Sequence, residues 1–205
     1  MLFRSQDFLA ATAARHGIWL VGGSVPLECP APDKVWNSCL VFDDTGRRVA
    51  RYDKIHLFGF DNGSERYQES LSIAAGSTPV AFDSPFGRIA LSICYDPRFA
   101  ELYRSLAPVD LIFVPSSFTA VTGEAHWEPL LRARAIENLA YVVAPAQGGL
   151  HANGRRTHGH SLVIDPWGKV LNQLGAGPGV VIAEVDPALT VRCRSMLPAL
   201  SHRVL

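Results

Sequence analysis

Three side chains in this sequence stand where chemistry could be done: Cys94, Lys54 and Glu128. Cys94 follows the apolar run Ile89-Ala90-Leu91-Ser92-Ile93 and precedes Tyr95-Asp96-Pro97-Arg98. A strand that ends in a nucleophile and then turns into a helix presents that side chain in a pocket. The exposed N–H groups of such a turn can receive an oxyanion. The competing reading is a plain core cysteine, because cysteine is among the most buried residue types. Lys54, in Tyr52-Asp53-Lys54-Ile55-His56-Leu57, ends a strand. It is either a solvated surface charge or, beside a cysteine, a cation that favours thiolate and faces a developing oxyanion. Glu128, in His126-Trp127-Glu128, falls in the first turn of a helix predicted over 125–139. There it is either an acid favoured by the macrodipole or the carboxylate that positions Lys54. His126 reads as a capping or supporting group rather than a base. Arg132, Arg134 and Glu137 on the same helix read as structural ion-pairing groups.

The elements that must position these residues alternate between helix and strand. A helix over 5–16 is capped by Ser5, carries Leu9 and Ala13 on one face with Phe8 beside them, and stops at Gly17. The apolar run 18–25 is a buried strand. Strands 38–42 and 48–52 flank the turn Asp43-Asp44-Thr45-Gly46. The stretch 58–77 has no clear period and reads as a long loop. Strands 79–82 and 88–94 surround Ser84-Pro85-Phe86-Gly87, followed by a helix over 97–106 and a strand over 111–115. After the helix over 125–139, strands follow at 141–146, 161–165, 169–174 and 180–185, with a partly helical tail from Pro187. Strand–helix–strand alternation implies parallel pairing, and the hairpins add antiparallel strands. The fold class is therefore mixed α/β, in a single domain over residues 1–205 with no linker.

Composition limits the partners. Nineteen Lys and Arg balance nineteen Asp and Glu, without the basic surplus that phosphate binding wants, so no nucleic-acid partner is expected. No stretch approaches the roughly 20 apolar residues of a membrane span, and no targeting segment opens the chain. Cys29, Cys39, Cys94 and Cys193 form no C-x-x-C pair, and no histidine cluster has zinc spacing. No metal site is expected, and a reducing, cytoplasmic setting is the simplest.

Several segments, taken in order, resemble one family. They are Tyr-Asp-Lys-Ile-His-Leu (52–57), Ser-Ile-Cys-Tyr-Asp-Pro-Arg-Phe-Ala-Glu-Leu (92–102), Thr-Gly-Glu-Ala-His-Trp-Glu-Pro-Leu (122–130), Arg-Ala-Arg-Ala-Ile-Glu-Asn (132–138) and Arg-Thr-His-Gly-His-Ser-Leu-Val-Ile-Asp-Pro-Trp-Gly (156–168). Together they look like the signatures of the nitrilase, or carbon–nitrogen hydrolase, superfamily, and most like its Nit branch, which includes ω-amidase and deaminated glutathione amidase. The match runs from about Phe8 to the C-terminus. The resemblance implies a four-layer α-β-β-α sandwich of two mixed sheets and a Glu-Lys-Cys triad. Cys94 would be the nucleophile, Lys54 the triad lysine and Glu128 the additional glutamate. The Tyr95 N–H and the Lys54 ammonium would hold the oxyanion. It also implies hydrolysis of a small amide without metal or organic cofactor, in a homodimer. Arg98 would take the substrate's distal carboxylate, against a bland reading as a salt bridge to Asp96 or Glu101.

One departure stands out. The family's general-base glutamate follows an early strand, and here the opening strand–helix–strand unit has no counterpart. The expectation is an N-terminally truncated domain with little turnover on its own. Glu28, in Pro26-Leu27-Glu28, resembles that context locally but follows a later strand, so it is not expected to substitute. The alternatives are a nitrilase acting on a C≡N bond with the same residues, and a catalytically dead fragment kept as a binding partner.

Overall fold

In a computed structural model the described residues, 2–204, fall into two compact units that divide between Val80 and Ala81. The first opens with α1 (Leu2–His16), followed by β1 (Leu20–Glu28), β2 (Val35–Phe42) and β3 (Arg48–Asp53). The helix starts earlier than expected, so Ser5 lies inside it rather than capping it. Gly17 ends it with a φ of 60°, a conformation that is easy only without a Cβ. Leu9, Ala10 and Ala13 pack against Leu20, Val25, Leu27, Leu40 and Phe42 of the sheet. Phe8, one residue round the helix from Leu9, points away and is exposed. At Gly22 a Cβ would stand 2.7 Å from Leu9 Cδ1, so glycine lets the helix sit close to β1. Leu40 is completely buried in this cluster. We expect Leu40→Ala to lower the unfolding free energy by about 2–5 kcal/mol, read as a shifted midpoint in urea denaturation.

The turn between β2 and β3 forms as expected. Asp43 Oδ1 accepts hydrogen bonds from the Thr45 N–H, the Thr45 hydroxyl and the Arg47 N–H. These bonds, the Thr45 hydroxyl foremost, lower the Asp43 pKa to about 2. The stretch 58–77 is not a structureless loop. It holds β4 (Gly59–Asp61) and β5 (Arg66–Gln68), a 3-10 turn at Glu69–Leu71, and β6 (Ile73–Ala74), which pairs parallel with β2. Phe58, Phe60 and Tyr67 pack ring on ring along the hairpin. Strands of two or three residues are too short to show a period, which is why the sequence read as irregular.

The second unit is built on a six-stranded mixed sheet. Its strands are β7 (Val80–Ser84), β8 (Gly87–Leu91), β9 (Leu111–Phe113), β10 (Tyr141–Ala144), β13 (Leu162–Ile164) and β14 (Val170–Gln173), in the order β14-β13-β10-β9-β8-β7. The strands β8, β9 and β10 run parallel, with α2 (Ala100–Leu106) and α3 (Ala120–Asn138) as crossovers. The hairpin strands β13 and β14 run antiparallel at one side. A small ribbon of β11 (Gly148–Leu150) and β12 (Arg156–His158), unforeseen in sequence, packs against α3. Each unit thus supplies a helix-on-sheet pair, the layers of the expected α/β class. The segment 180–185, expected as a strand, forms none, and α4 (Pro187–Met196) follows it, capped by Asp186. Among the described residues no helix is long and apolar enough to cross a membrane.

Candidate active site

In the first unit Lys54 follows directly on β3 and is completely buried. Its backbone is tied on both sides, its N–H donating to Asn37 O and its carbonyl accepting from Gly76 N–H. At Gly76 an added Cβ would stand 2.2 Å from Asp53 O, so only glycine allows this approach. The ammonium donates to Glu69 Oε2 at 2.5 Å. Glu69 arrives there through the register of the β4–β5 hairpin. Gly59 pairs with Gln68, so the next residues out, Phe58 and Glu69, face each other. Glu69 N–H donates to Phe58 O, and Phe58 N–H donates to Glu69 Oε2 at 2.8 Å. A buried ammonium without a carboxylate partner would be prohibitive. The hairpin is the device that delivers one.

The part expected of Glu128, a carboxylate on Lys54, is taken within the first unit by Glu69. The helix α3 begins at Ala120 with Thr119 as its cap, so Glu128 lies in the third turn, away from the positive end of the macrodipole. Its carboxylate pairs with Arg132 at 3.6 Å, one turn along, with the side chain 42% exposed. The carboxylate on Lys54 is Glu69, which had no motif to announce it. His126 is not a cap either, being the seventh residue of the helix. The neighbouring charges are structural, as expected: Arg134 and Arg104 both pair with Glu137, and Arg132 Nε donates to Gly168 O. Glu28 ends β1, opposite Val35, and its side chain is exposed.

In the second unit β8 stops at Leu91, three residues short of Cys94. The parallel hydrogen bonding carries on past it: Ser92 N–H donates to Phe113 O and Cys94 N–H to Pro115 O, both at 3.0 Å. The chain then turns sharply. Ile93 N–H donates to Asp96 Oδ2 at 2.7 Å, and Asp96 N–H returns to Ile93 O. The Asp96 carboxylate is completely buried and clamps the turn. Cys94 itself has a φ of 53°, a left-handed conformation that side chains with a Cβ rarely adopt. Such strain persists only where surrounding structure imposes it, and it clusters at functional sites. A 3-10 turn, Asp96–Arg98, leads away, with Tyr95 at its N-cap.

Arg98 forms neither of the salt bridges considered for it. Its Nη2 lies 3.2 Å from His126 Nδ1. Its guanidinium stands over the rings of Tyr95 and Phe118, at 5.5 and 5.6 Å. Phe118 is braced in turn by Trp127, ring centroids 5.0 Å apart. Trp127 Nε1 donates to His160 O. His158 stacks on His160 and lies against Gly123, where a Cβ would meet His158 Cβ at 2.3 Å. Burial, followed by the His160 charge, pushes the His158 pKa below its usual value.

The four thiols differ sharply. Cys39 and Cys193 are buried, and burial pushes Cys39 up to about 12 and Cys193 upward as well. The Cys29 thiol donates to backbone carbonyls of Ala31 and Lys34. Cys94 is half-buried on its turn. We expect brief iodoacetamide treatment at neutral pH to alkylate Cys94 first, as read by peptide mapping. Modification of Cys39 or Cys193 ahead of it would contradict this geometry.

Comparison with known proteins shows the family. The carbon-nitrogen hydrolase family model matches residues 2–195. A deaminated glutathione amidase of Synechocystis is 43% identical over 206 residues, taking in 98% of this chain and 76% of that protein. The chain thus spans about three quarters of that relative's length. The crystal structure of the C. elegans NitFhit protein superposes with a TM-score of 0.90 at 42% identity, over 97% of this chain and 50% of that one. A Nesterenkonia amidase mutant, 27% identical with a TM-score of 0.76 over 87% of this chain and 65% of that one, carries the acetamide moiety of fluoroacetamide on its active-site cysteine. The chain belongs to the carbon–nitrogen hydrolase family.

Proposed function

We propose that this chain hydrolyses a small, carboxylate-bearing carboxamide to the acid and ammonia through a thioester on Cys94. The observation that carries this reading is Cys94 itself, held at positive φ on a clamped turn at a strand end. The Cys94 thiolate attacks the amide carbon, and the family resemblance assigns the tetrahedral oxyanion to the Tyr95 N–H and the Lys54 ammonium. The C–N bond breaks and the amine leaves as ammonia after protonation; water then adds to the thioester, and the second oxyanion collapses with cleavage of the C–S bond, releasing the acid and the Cys94 thiolate. Glu69 positions Lys54 in this scheme; its Oε2 is already committed to two donors. A carboxylate is still required to move the protons. Arg98 anchors the substrate's distal carboxylate, since a planar guanidinium suits bidentate recognition. The amidase names of the relatives favour an amide over a nitrile as substrate.

The test is incubation with a small α-keto acid monoamide, following ammonia release and the intact mass. An acyl adduct that maps to Cys94 and decays with turnover is the expected result. Ammonia release with the adduct on another cysteine overturns the assignment. We place the enzyme in a reducing, cytoplasmic setting, which suits its four free cysteines. We also expect a homodimer, which light scattering after size exclusion reads directly.

A further inference from the structure

The contact between Arg98 and His126 has a direction fixed by chemistry. A guanidinium carries donors and no acceptor. The 3.2 Å contact from Arg98 Nη2 to His126 Nδ1 is therefore a hydrogen bond only if Nδ1 is the bare, accepting nitrogen. The imidazole is then neutral, with its hydrogen on Nε2. Arg98 is thus held by two aromatic faces and one neutral acceptor. Its Nε is buried and makes no hydrogen bond. Leaving a buried donor unpaired is unfavourable, so this placement does not serve stability alone.

We propose that His126 is a positioning residue for anion recognition: it orients the Arg98 guanidinium without neutralising it. A carboxylate in its place would hold the same group, but would cancel its charge and compete with an incoming substrate carboxylate. A neutral imidazole fixes the direction of the fork and leaves the full positive charge for the ligand. This inference rests on reading Arg98 as the substrate's carboxylate anchor. His126 is exposed on α3, so substitutions there are expected to leave the fold intact.

The experiment compares His126→Gln, His126→Ala and His126→Glu with the unaltered chain. Each is assayed on an α-keto acid monoamide and on the corresponding neutral amide lacking the distal carboxylate. Binding of glutarate by calorimetry gives a second readout that needs no turnover. Glutamine keeps a neutral acceptor and is expected to stay within about threefold of the unaltered protein in KM and in glutarate affinity. Alanine is expected to raise KM for the carboxylate substrate about tenfold. Glutamate is expected to raise it further, with kcat little changed in all three. The neutral amide should not distinguish the variants, whereas a merely structural role would move both substrates together. Arg98→Ala is run alongside. If it fails to discriminate the two amides and leaves glutarate binding unchanged, the anchor reading falls, and this inference with it. If it discriminates while His126→Glu behaves like His126→Gln, Arg98 keeps its role and the inference about His126 is overturned.

Discussion

Cys94→Ala is expected to lower amide turnover by about 10⁴-fold or more, as loss of the nucleophile does where catalytic groups act as a unit. The reason is covalent. Without a sulfur at the end of the turn no thioester forms, and the reaction reverts to direct attack by water on an amide. The fold should survive, because the turn is held by bonds that do not involve the Cys94 side chain: Ile93 N–H to Asp96, and the backbone N–H groups of Ser92 and Cys94 to Phe113 and Pro115. Cys94→Ser keeps a nucleophilic atom of lower reactivity and should fall between the two. Steady-state ammonia release gives the rate, intact mass the adduct, and circular dichroism the fold. A Cys94→Ala chain with undiminished turnover and an unchanged melting curve would remove Cys94 from the chemistry altogether.

Lys54 gives the second large effect. Loss of one oxyanion donor typically lowers kcat by about 10²–10³, and both Lys54→Ala and Lys54→Arg are expected in that range. Arginine keeps the charge but fails for a geometric reason. The lysine side chain is completely enclosed and ends on one carboxylate oxygen at 2.5 Å. A planar fork has neither the shape nor the single point of contact that this site offers. Glu69→Gln tests the other half of the pair. It keeps an acceptor for Phe58 N–H while removing the negative charge from Lys54, so it should reduce kcat with less damage to the fold than Lys54→Ala. Thermal melts run on all three variants separate loss of chemistry from loss of folding. Near-normal turnover in Lys54→Arg is the result that would refute the role.

The sequence by itself determined the α/β class, the parallel crossovers around α2 and α3, the turn at Asp43 and the strand-end placement of Cys94. These follow from local patterns: apolar runs of strand length, an Asp-x-Thr-Gly turn that closes on its own side chain, and ordered motifs that resemble a family. What it could not determine depends on register and packing. Glu128 and Glu69 are both glutamates near motif residues, and nothing local separates them. Glu69 reaches Lys54 because a hairpin of two three-residue strands pairs Gly59 with Gln68, a register too short to leave a periodic trace. Glu128 sits in the middle of its helix because α3 begins at Ala120 rather than Ala125, and there Arg132 is one turn away. The positive φ of Cys94 was hidden for a similar reason, since it is imposed by the buried Asp96 carboxylate and by carbonyls of the neighbouring β9 segment. Arg98 could have paired with either nearby acid by sequence distance. The tertiary structure gave it a histidine on another helix, because the side chain of the seventh residue of α3 meets the turn after Cys94. Local propensity selects elements, whereas the partner of a charged side chain is chosen by whichever distant element the packing brings within reach.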